Sequence, residues 1–370
     1  MALAFYRKYR PKKLEELLGQ EATIQILQNA AKQDRIGHAY LFYGPRGTGK
    51  TTTARLVVKL LNCQRRHADK AFHDKGEPCG ECRTCREVDE GNAFDLIEID
   101  AASNRGIDEI RNLKESIGSV PTSAPYKVYI IDEVHMLTGA AFNALLKTLE
   151  EPPRHAVLIL ATTEYEKLPA TITSRTQRFL FKKLPKVKII EKLSLIAKAE
   201  GITIDGAALE LIAAASEGSL RDAESLLDQL GSLESAITLS VAERLTGRVG
   251  FKKVDALAEH IINGDLTRAI HYLAEINEEG HNIIQLTKDL IHYLRKILSY
   301  KLSPSVETFL HLEMTNDELK RLKELSEKVS PEKTIPLIKA LIRGYSEMRY
   351  SPFAAVPLEV ALIEHLKKTE

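Results

Sequence analysis

Cysteine is scarce and confined: the 370 residues contain four, all between Cys63 and Cys85. No apolar run approaches the ~18–20 residues of a membrane span. The N-terminal MALAFYRKYRPKK is too short in its apolar part, and too basic after it, for a signal peptide. These absences lead to the expectation of a cytoplasmic protein without membrane contact, in which disulfides are disfavoured and a local metal site is the natural use of the thiols. Excess charge of either sign is also missing. Lys+Arg 52 against Asp+Glu 51 leaves a net charge of +1. That excludes a uniformly basic nucleic-acid coat but leaves a local basic patch open. Internal repeats and low-complexity tracts are lacking as well. With 44% hydrophobic and 28% charged residues, a disordered or fibrous chain is excluded. At roughly 150 residues per domain the length suggests two or three domains.

What is present falls into two halves. Residues 39–181 alternate short apolar runs with helical patterns. The runs are AYLFY (39–43), FDLIEI (94–99), VYIID (128–132), AVLILA (156–161) and FLF (179–181), which fit buried strands of a parallel sheet. Ala54, Val57, Val58 and Leu61 recur at i, i+3, i+4, i+7 and predict an amphipathic helix, as do Phe142, Leu145, Leu146 and Leu149. The second of these must stop at Pro152-Pro153. From about Pro185 only helical patterns remain, at 186–199, 206–216, 219–231, 238–246, 252–263, 266–279, 282–301, 316–329, 331–348 and 354–367. Ser330-Pro331 reads as an N-cap followed by proline at the first helical position. Gly247 and Gly250 mark a break between two helical blocks. The expectation is an α/β nucleotide-binding domain over 1–183, a small helical domain over 184–247 and a larger helical domain over 248–370.

Gly44-Pro45-Arg46-Gly47-Thr48-Gly49-Lys50-Thr51 fits G-x-x-x-x-G-K-[ST] between a predicted strand and a predicted helix. Glycines let backbone N–H groups curl around phosphates, and the helix N-terminus adds positive dipole. Lys50 is expected to reach the β- and γ-phosphates and the Thr51 hydroxyl to hold Mg²⁺, with Thr52 next in the binding turn. Such a loop can also bind nucleotide without hydrolysing it. Asp132-Glu133, at the end of the apolar run VYII, favours hydrolysis. Ligands bind at that edge of a parallel sheet. Asp132 suits Mg²⁺ coordination, and Glu133 suits polarisation of the attacking water.

Cys63, Cys79, Cys82 and Cys85 are spaced C-x15-C-x2-C-x2-C, which matches a closed tetrahedral Zn²⁺ site with no open position for catalysis. Pro78 and Gly80 supply the turn the ion requires. His67 and His73 lie close enough in sequence to replace one ligand. A redox role for C-x-x-C is disfavoured, because no thioredoxin-like βαβ pattern surrounds it. The zinc module, about 62–90, interrupts the nucleotide domain between its first helix and second strand and reads as a stapled docking surface.

GPRGTGKT, the four-cysteine insert, VYIIDEVHML, FNALLKTLEEPP, LATTEYEKLPATITSR and GSLRDAESLLDQ occur in this order. Together they make the sequence resemble the gamma/tau family of bacterial DNA polymerase III, closely over residues 1–245 and more weakly beyond. The resemblance implies an AAA+ P-loop NTPase domain with a zinc-binding insert, a helical lid domain and an all-α collar domain. It also implies a clamp loader motor, one subunit of the replicative polymerase holoenzyme that hydrolyses ATP without itself polymerising. The implied cofactors are ATP, Mg²⁺ and Zn²⁺. The implied partners are delta, delta-prime and further gamma/tau copies in a pentameric ring, a sliding clamp and primer–template DNA.

The resemblance also assigns roles. Arg175 in Thr173-Ser174-Arg175 looks like the finger inserted into the neighbouring subunit's ATP site; Thr176 stands where the family usually has cysteine. Thr163, with Thr162 as the alternative, resembles the first sensor. Arg221 resembles the second, in the first turn of a helix capped by Ser219, where a bound phosphate relieves the conflict between a cation and the positive helix end. Tyr6-Arg7-Lys8-Tyr9-Arg10-Pro11 resembles the segment that closes over adenine, with Tyr9, Arg10 and Pro11 at its core. Ser103-Asn104-Arg105-Gly106, ahead of a predicted helix, is either a backbone-phosphate grip for DNA or an ordinary N-capped helix. Two rivals are a branch-migration helicase, which the LEEPP and TSR segments and the insert oppose, and a nucleotide-locked scaffold for which hydrolysis is dispensable.

Overall fold

The computed structural model describes residues 3–367 apart from 105–109, 111, 112, 114, 234 and 235. The chain divides into two compact units: residues 1–184 with 219–222, and residues 185–218 with 223–370.

In the first unit five apolar runs become five strands: β1 (Ala39–Tyr43), β2 (Leu96–Asp100), β3 (Lys127–Asp132), β4 (Ala156–Thr162) and β5 (Gln177–Leu180). They form one sheet in the order β2-β3-β4-β1-β5, and every neighbouring pair is parallel. The strands β1, β3 and β4 are buried almost throughout, which is why they read as continuous apolar runs rather than alternating ones. Register places Asp100 beside Asp132 and Tyr43 beside Thr162. The C-terminal ends of β1, β3 and β4 therefore share one edge.

Helices α1 (Glu21–Lys32), α2 (Lys50–Asn62), α3 (Arg83–Glu90) and α4 (Gly139–Glu150) accompany the sheet. On one face Leu27, Leu56, Val57 and Leu60 pack with Phe42, Ile130 and Ile159. On the other Leu145, Phe142 and Leu149 pack with Leu41, Tyr129, Ile131 and Leu160. Period-2 alternation along each strand thus serves two helical layers, and burial of each such side chain contributes roughly 1.5–3 kcal/mol. The helix α4 is N-capped by Thr138, whose side chain accepts from the Ala141 N–H, and it ends at Glu150, ahead of the two prolines.

Among its described residues the second unit is helical except for a short two-stranded pair, Thr203–Ile204 with Ala236–Ile237. The expected helices are found at Lys186–Glu200, Gly206–Ala215, Leu220–Leu233, Leu239–Thr246, Phe251–Ile262, Leu266–Glu278, Ile283–Leu302, Asn316–Lys328, Pro331–Met348 and Val356–Leu366. Gly247 takes a left-handed φ of +65° and ends one helix, and Gly250 begins the next. Ser330 does occupy the N-cap position, but its side chain makes no capping bond, so Pro331 alone marks that start. A partly buried network ties the larger helical block together: Tyr293 donates to Asp255 at 2.7 Å, and Arg321 reaches Asp255 and Glu259 at 2.9 Å each. That paired acidic surrounding, led by the Asp255 bond, pushes the Arg321 guanidinium further up. Among the described residues no helix is long and apolar enough to cross a membrane.

Candidate nucleotide site and cysteine cluster

The loop between β1 and α2 needs its glycines. Gly44, Gly47 and Gly49 have φ of +137°, +72° and +99°, a region that L side chains rarely adopt. A Cβ on Gly44 would collide with the Phe181 carbonyl, and one on Gly47 with the Ser219 hydroxyl. The loop is braced internally: the Thr48 hydroxyl donates to the Pro45 carbonyl at 2.8 Å. Arg46 is exposed, and Thr52 sits half-buried in the first turn of α2. Lys50 is 6% exposed and donates to the carbonyls of Gly44 and Pro45, both at 2.8 Å. Burial lowers its pKa, against the opposing fields of Glu133 and Asp132. The ammonium is thus held over the loop where phosphate oxygens can replace two carbonyls.

The Thr51 hydroxyl donates to Asp132 Oδ2 at 2.7 Å. Two oxygens suited to Mg²⁺ therefore meet between α2 and the end of β3, in hard-ligand chemistry that leaves room for water and substrate oxygens. Glu133 follows with φ +48°, a strained conformation for a non-glycine residue, and this turn points its carboxylate along the sheet edge. There Glu133 Oε2 accepts from the Thr163 backbone N–H at 3.2 Å and its hydroxyl at 2.9 Å. Of the two sensor candidates, Thr163 touches the acid. Thr162 is fully buried; its hydroxyl pairs with His135 Nδ1 at 2.9 Å and accepts the Glu164 N–H at 3.0 Å. His135, to which the sequence reading gave no role, lies 3.4 Å from Glu133 and 3.1 Å from Glu164. Its position two residues beyond the acid pair was the available signal.

Residues 219–222 belong with this unit. The Leu220 N–H donates to the Gly47 carbonyl at 3.2 Å, and Ser219 caps by accepting from the Asp222 N–H at 3.3 Å. The Arg221 guanidinium lies 4.9 Å from the centre of the Tyr6 ring. Arg221 and the N-terminal segment thus meet. Within that segment Tyr9 packs edge-on against Phe5, Pro11 is half-buried, and the Arg10 pKa is lowered by burial and then by Arg55. Arg175 stands elsewhere, beyond β4. It is held by Glu150 at the end of α4, with Nη2 at 2.5 Å and Nε at 2.8 Å from the same oxygen, and by the Thr171 carbonyl at 2.9 Å.

The four cysteine sulfurs lie within 4.8 Å of one another. A tetrahedral ion with ~2.3 Å Zn–S bonds spaces its sulfurs ~3.8 Å apart; Cys79 and Cys85 are 3.9 Å apart. Gly80, at φ +73°, makes the turn, and Cys82 and Cys85 are presented by the start of α3. Backbone N–H groups of Cys79, Glu81 and Cys82 donate to sulfurs, which favours thiolates. A hydrogen bond from Cys85 holds the Cys63 thiol down, to about 4, while Cys85 is pushed up by the same bond and by burial. Four such groups carry full charge together only around a cation, so the donor set fits Zn²⁺. His67 and His73 do not join. His67 Nε2 is engaged by the Leu61 carbonyl at 2.7 Å, and His73 Nε2 lies 2.9 Å from Asp34.

Near the proposed DNA grip, the Ser103 hydroxyl and Asn104 side chain turn back onto Asp100. Arg105 and Gly106 lie outside the described residues.

A phosphate loop after β1, an acid pair after β3 and a β2-β3-β4-β1-β5 parallel sheet define an AAA+ nucleotide-binding domain. Family models agree along the chain. Residues 19–185 match "DNA polymerase III, delta subunit", residues 188–231 match "DNA polymerase III clamp loader subunit, ATPase lid domain", and residues 237–369 match "DNA polymerase III subunits gamma and tau domain III". The chain is similar to the DNA polymerase III subunit tau of Bacillus subtilis, 42% identical over 98% of this chain and 62% of that one. It is similar also to the tau subunit of Escherichia coli, 38% identical over 97% of this chain and 54% of that one. It thus spans less than two thirds of the length of these relatives. A solved Bacillus subtilis clamp loader delta protein aligns at 17% identity and TM-score 0.40, over 93% of this chain and 99% of that one. The chain belongs to the gamma/tau family of DNA polymerase III.

Proposed function

We propose that this chain is an ATP-hydrolysing motor subunit of a clamp loader in the cytoplasm, assembled with delta, delta-prime and further copies of itself into a five-membered ring. The ring opens a sliding clamp and closes it around primer–template DNA. The observation that carries the chemistry is the meeting of Thr51, Asp132, Glu133 and Thr163 at one sheet edge beside the phosphate loop. Residues 1–183 hold the nucleotide, 184–247 form a lid, and 248–370 form a collar.

ATP binds with its phosphates in the Gly44–Thr51 loop and its base under Tyr9, Arg10 and Pro11. Lys50 exchanges its two carbonyl partners for β- and γ-phosphate oxygens. A Mg²⁺ held by Thr51 and Asp132 neutralises phosphate charge when bound. Glu133 orients and polarises the water that attacks the γ-phosphate, and Thr163 registers whether that acid is committed to the site. Arg221 contacts the phosphates from the lid helix. Arg175 serves the next subunit's site, offsetting charge that develops on the γ-phosphate. Zn²⁺ staples the 62–90 insert. DNA is held through its backbone, with strong salt dependence and little sequence preference.

The test is steady-state ATPase of the assembled complex with sliding clamp and primed DNA. Joint stimulation by the two is expected. Equal rates with and without them contradict a loader role.

A further inference from the structure

Glu77 belongs to the insert, two residues before Cys79, yet its carboxylate serves a different part of the chain. It is 7% exposed. It accepts the backbone N–H groups of Leu14 at 2.8 Å and Glu15 at 3.1 Å, and the Gln28 side-chain amide at 2.6 Å. The turn Leu14–Glu16 has no side-chain cap from its own N-cap residue, Lys13. The local sequence Pro11-Lys12-Lys13 supplies no Ser, Thr, Asp or Asn for that purpose. The insert therefore provides, from 62 and 63 residues away, the acceptor that this turn lacks.

That turn sits between two contacts with the nucleotide site. Upstream, Tyr6 lies against the Arg221 guanidinium. Downstream, Leu14 is fully buried and Leu17 is 6% exposed, and the Leu17 side chain lies 3.7 Å from where a Cβ on Gly49 would stand. Gln20 then anchors the strap to Lys182 through two bonds, at 2.8 and 3.1 Å. The approach of the insert is close: Gly76, at φ +68°, passes so near α1 that a Cβ there would lie 2.6 Å from the Gln28 carbonyl.

We infer that Glu77 is a positioning residue for nucleotide binding, through which the four-cysteine insert fixes the strap 4–20 over the phosphate loop. The insert is then part of what sets nucleotide affinity rather than a separate appendage. This rests on the nucleotide-site reading above. A strap without its cap samples more conformations, and nucleotide must select the ordered one, so apparent affinity falls by the lost population.

The experiment compares the full chain with Glu77→Gln and Gln28→Ala, each purified without chelator. Titration with ADP by calorimetry is expected to show affinity weakened about tenfold for Glu77→Gln, which removes the charge and turns one of the two acceptor oxygens into a donor, and about threefold for Gln28→Ala. In the assembled complex KM for ATP rises while kcat stays within about twofold. Zinc content stays at the wild-type value in both, and exchange protection of the Leu14 and Glu15 amides falls in Glu77→Gln. Wild-type ADP affinity in both zinc-loaded variants overturns the inference and leaves the nucleotide site standing. Loss of zinc in step with affinity also overturns it, since the effect then belongs to the metal. Failure of the unmodified chain to bind ADP overturns the nucleotide-site reading itself.

Discussion

Glu133 and Thr163 are joined twice: one carboxylate oxygen accepts both the backbone N–H and the hydroxyl of the threonine, at 3.2 and 2.9 Å. The acid proposed to activate water is thereby held by the residue proposed to sense the γ-phosphate. Releasing the hydroxyl bond frees the carboxylate for a water, and the backbone bond keeps it near the edge of the sheet. Thr163→Ala is expected to lower kcat at least about tenfold with little change in ATP affinity, and Thr163→Ser to retain most of the rate. Single-turnover hydrolysis and ATP titration separate the two effects.

Thr162→Ala is expected to behave differently. It removes the fully buried hydroxyl that pairs with His135 Nδ1 and accepts the Glu164 N–H. The cost is about 1–2 kcal/mol of stability. Urea unfolding measures it, and a loss of rate without loss of stability contradicts the assignment.

Arg175 is paired within its own chain by Glu150, away from the Thr51–Asp132 site of the same chain. Arg175→Ala is expected to cut the stimulated ATPase of the assembled complex by about 10³-fold or more. ATP binding by the unassembled chain stays unchanged. Equal loss in both settings contradicts a role in the neighbouring site.

Asp95 gives a stability–pH prediction. Burial opposes its ionisation, but the N–H groups of Thr122, Ser123 and Ala124 and the Ser123 hydroxyl outweigh this and hold the carboxyl below its ordinary range. A depressed folded pKa contributes stability above the unfolded value and loses it as pH falls through the folded one. Asp95→Asn is expected to cost ~2 kcal/mol near neutral pH. The gap to the unsubstituted protein narrows below about pH 4. Parallel denaturation curves from pH 7 to pH 3 check the sign.

The cysteine cluster predicts about one Zn²⁺ per chain in protein purified without chelator. Cys63→Ser and Cys85→Ser are expected to lose most of it and to melt earlier. Well under one zinc in the unmodified protein contradicts the metal assignment.

Much of the fold was legible because its signals are local. The runs at 39–43, 128–132 and 156–161 match β1, β3 and β4 within a residue at either end, since strands buried on both faces leave unbroken apolar sequence. The phosphate loop was legible because positive φ at Gly44, Gly47 and Gly49 demands glycine. What was not legible depends on distant partners. The short helices Gln64–Ala68 and Lys70–His73 carry little periodicity, because the insert is organised around its sulfurs and around Arg66, which donates to the Ala31 and Leu60 carbonyls. Glu77 as a cap for residues 14 and 15, Glu150 beside Arg175, and Leu220 on Gly47 all join segments that no window of sequence spans. Which of Thr162 and Thr163 touches Glu133 depends on which way adjacent residues face at the end of β4.

The most direct test of the motor claim is clamp loading by complexes carrying Glu133→Gln, followed as closed clamps left on primed circular DNA after the loader departs. The account predicts that these complexes bind ATP and engage the clamp but, with hydrolysis reduced by about 10²-fold or more, release few closed clamps. Release at the unsubstituted rate while hydrolysis is lost would contradict it and would make the chain a nucleotide-locked scaffold.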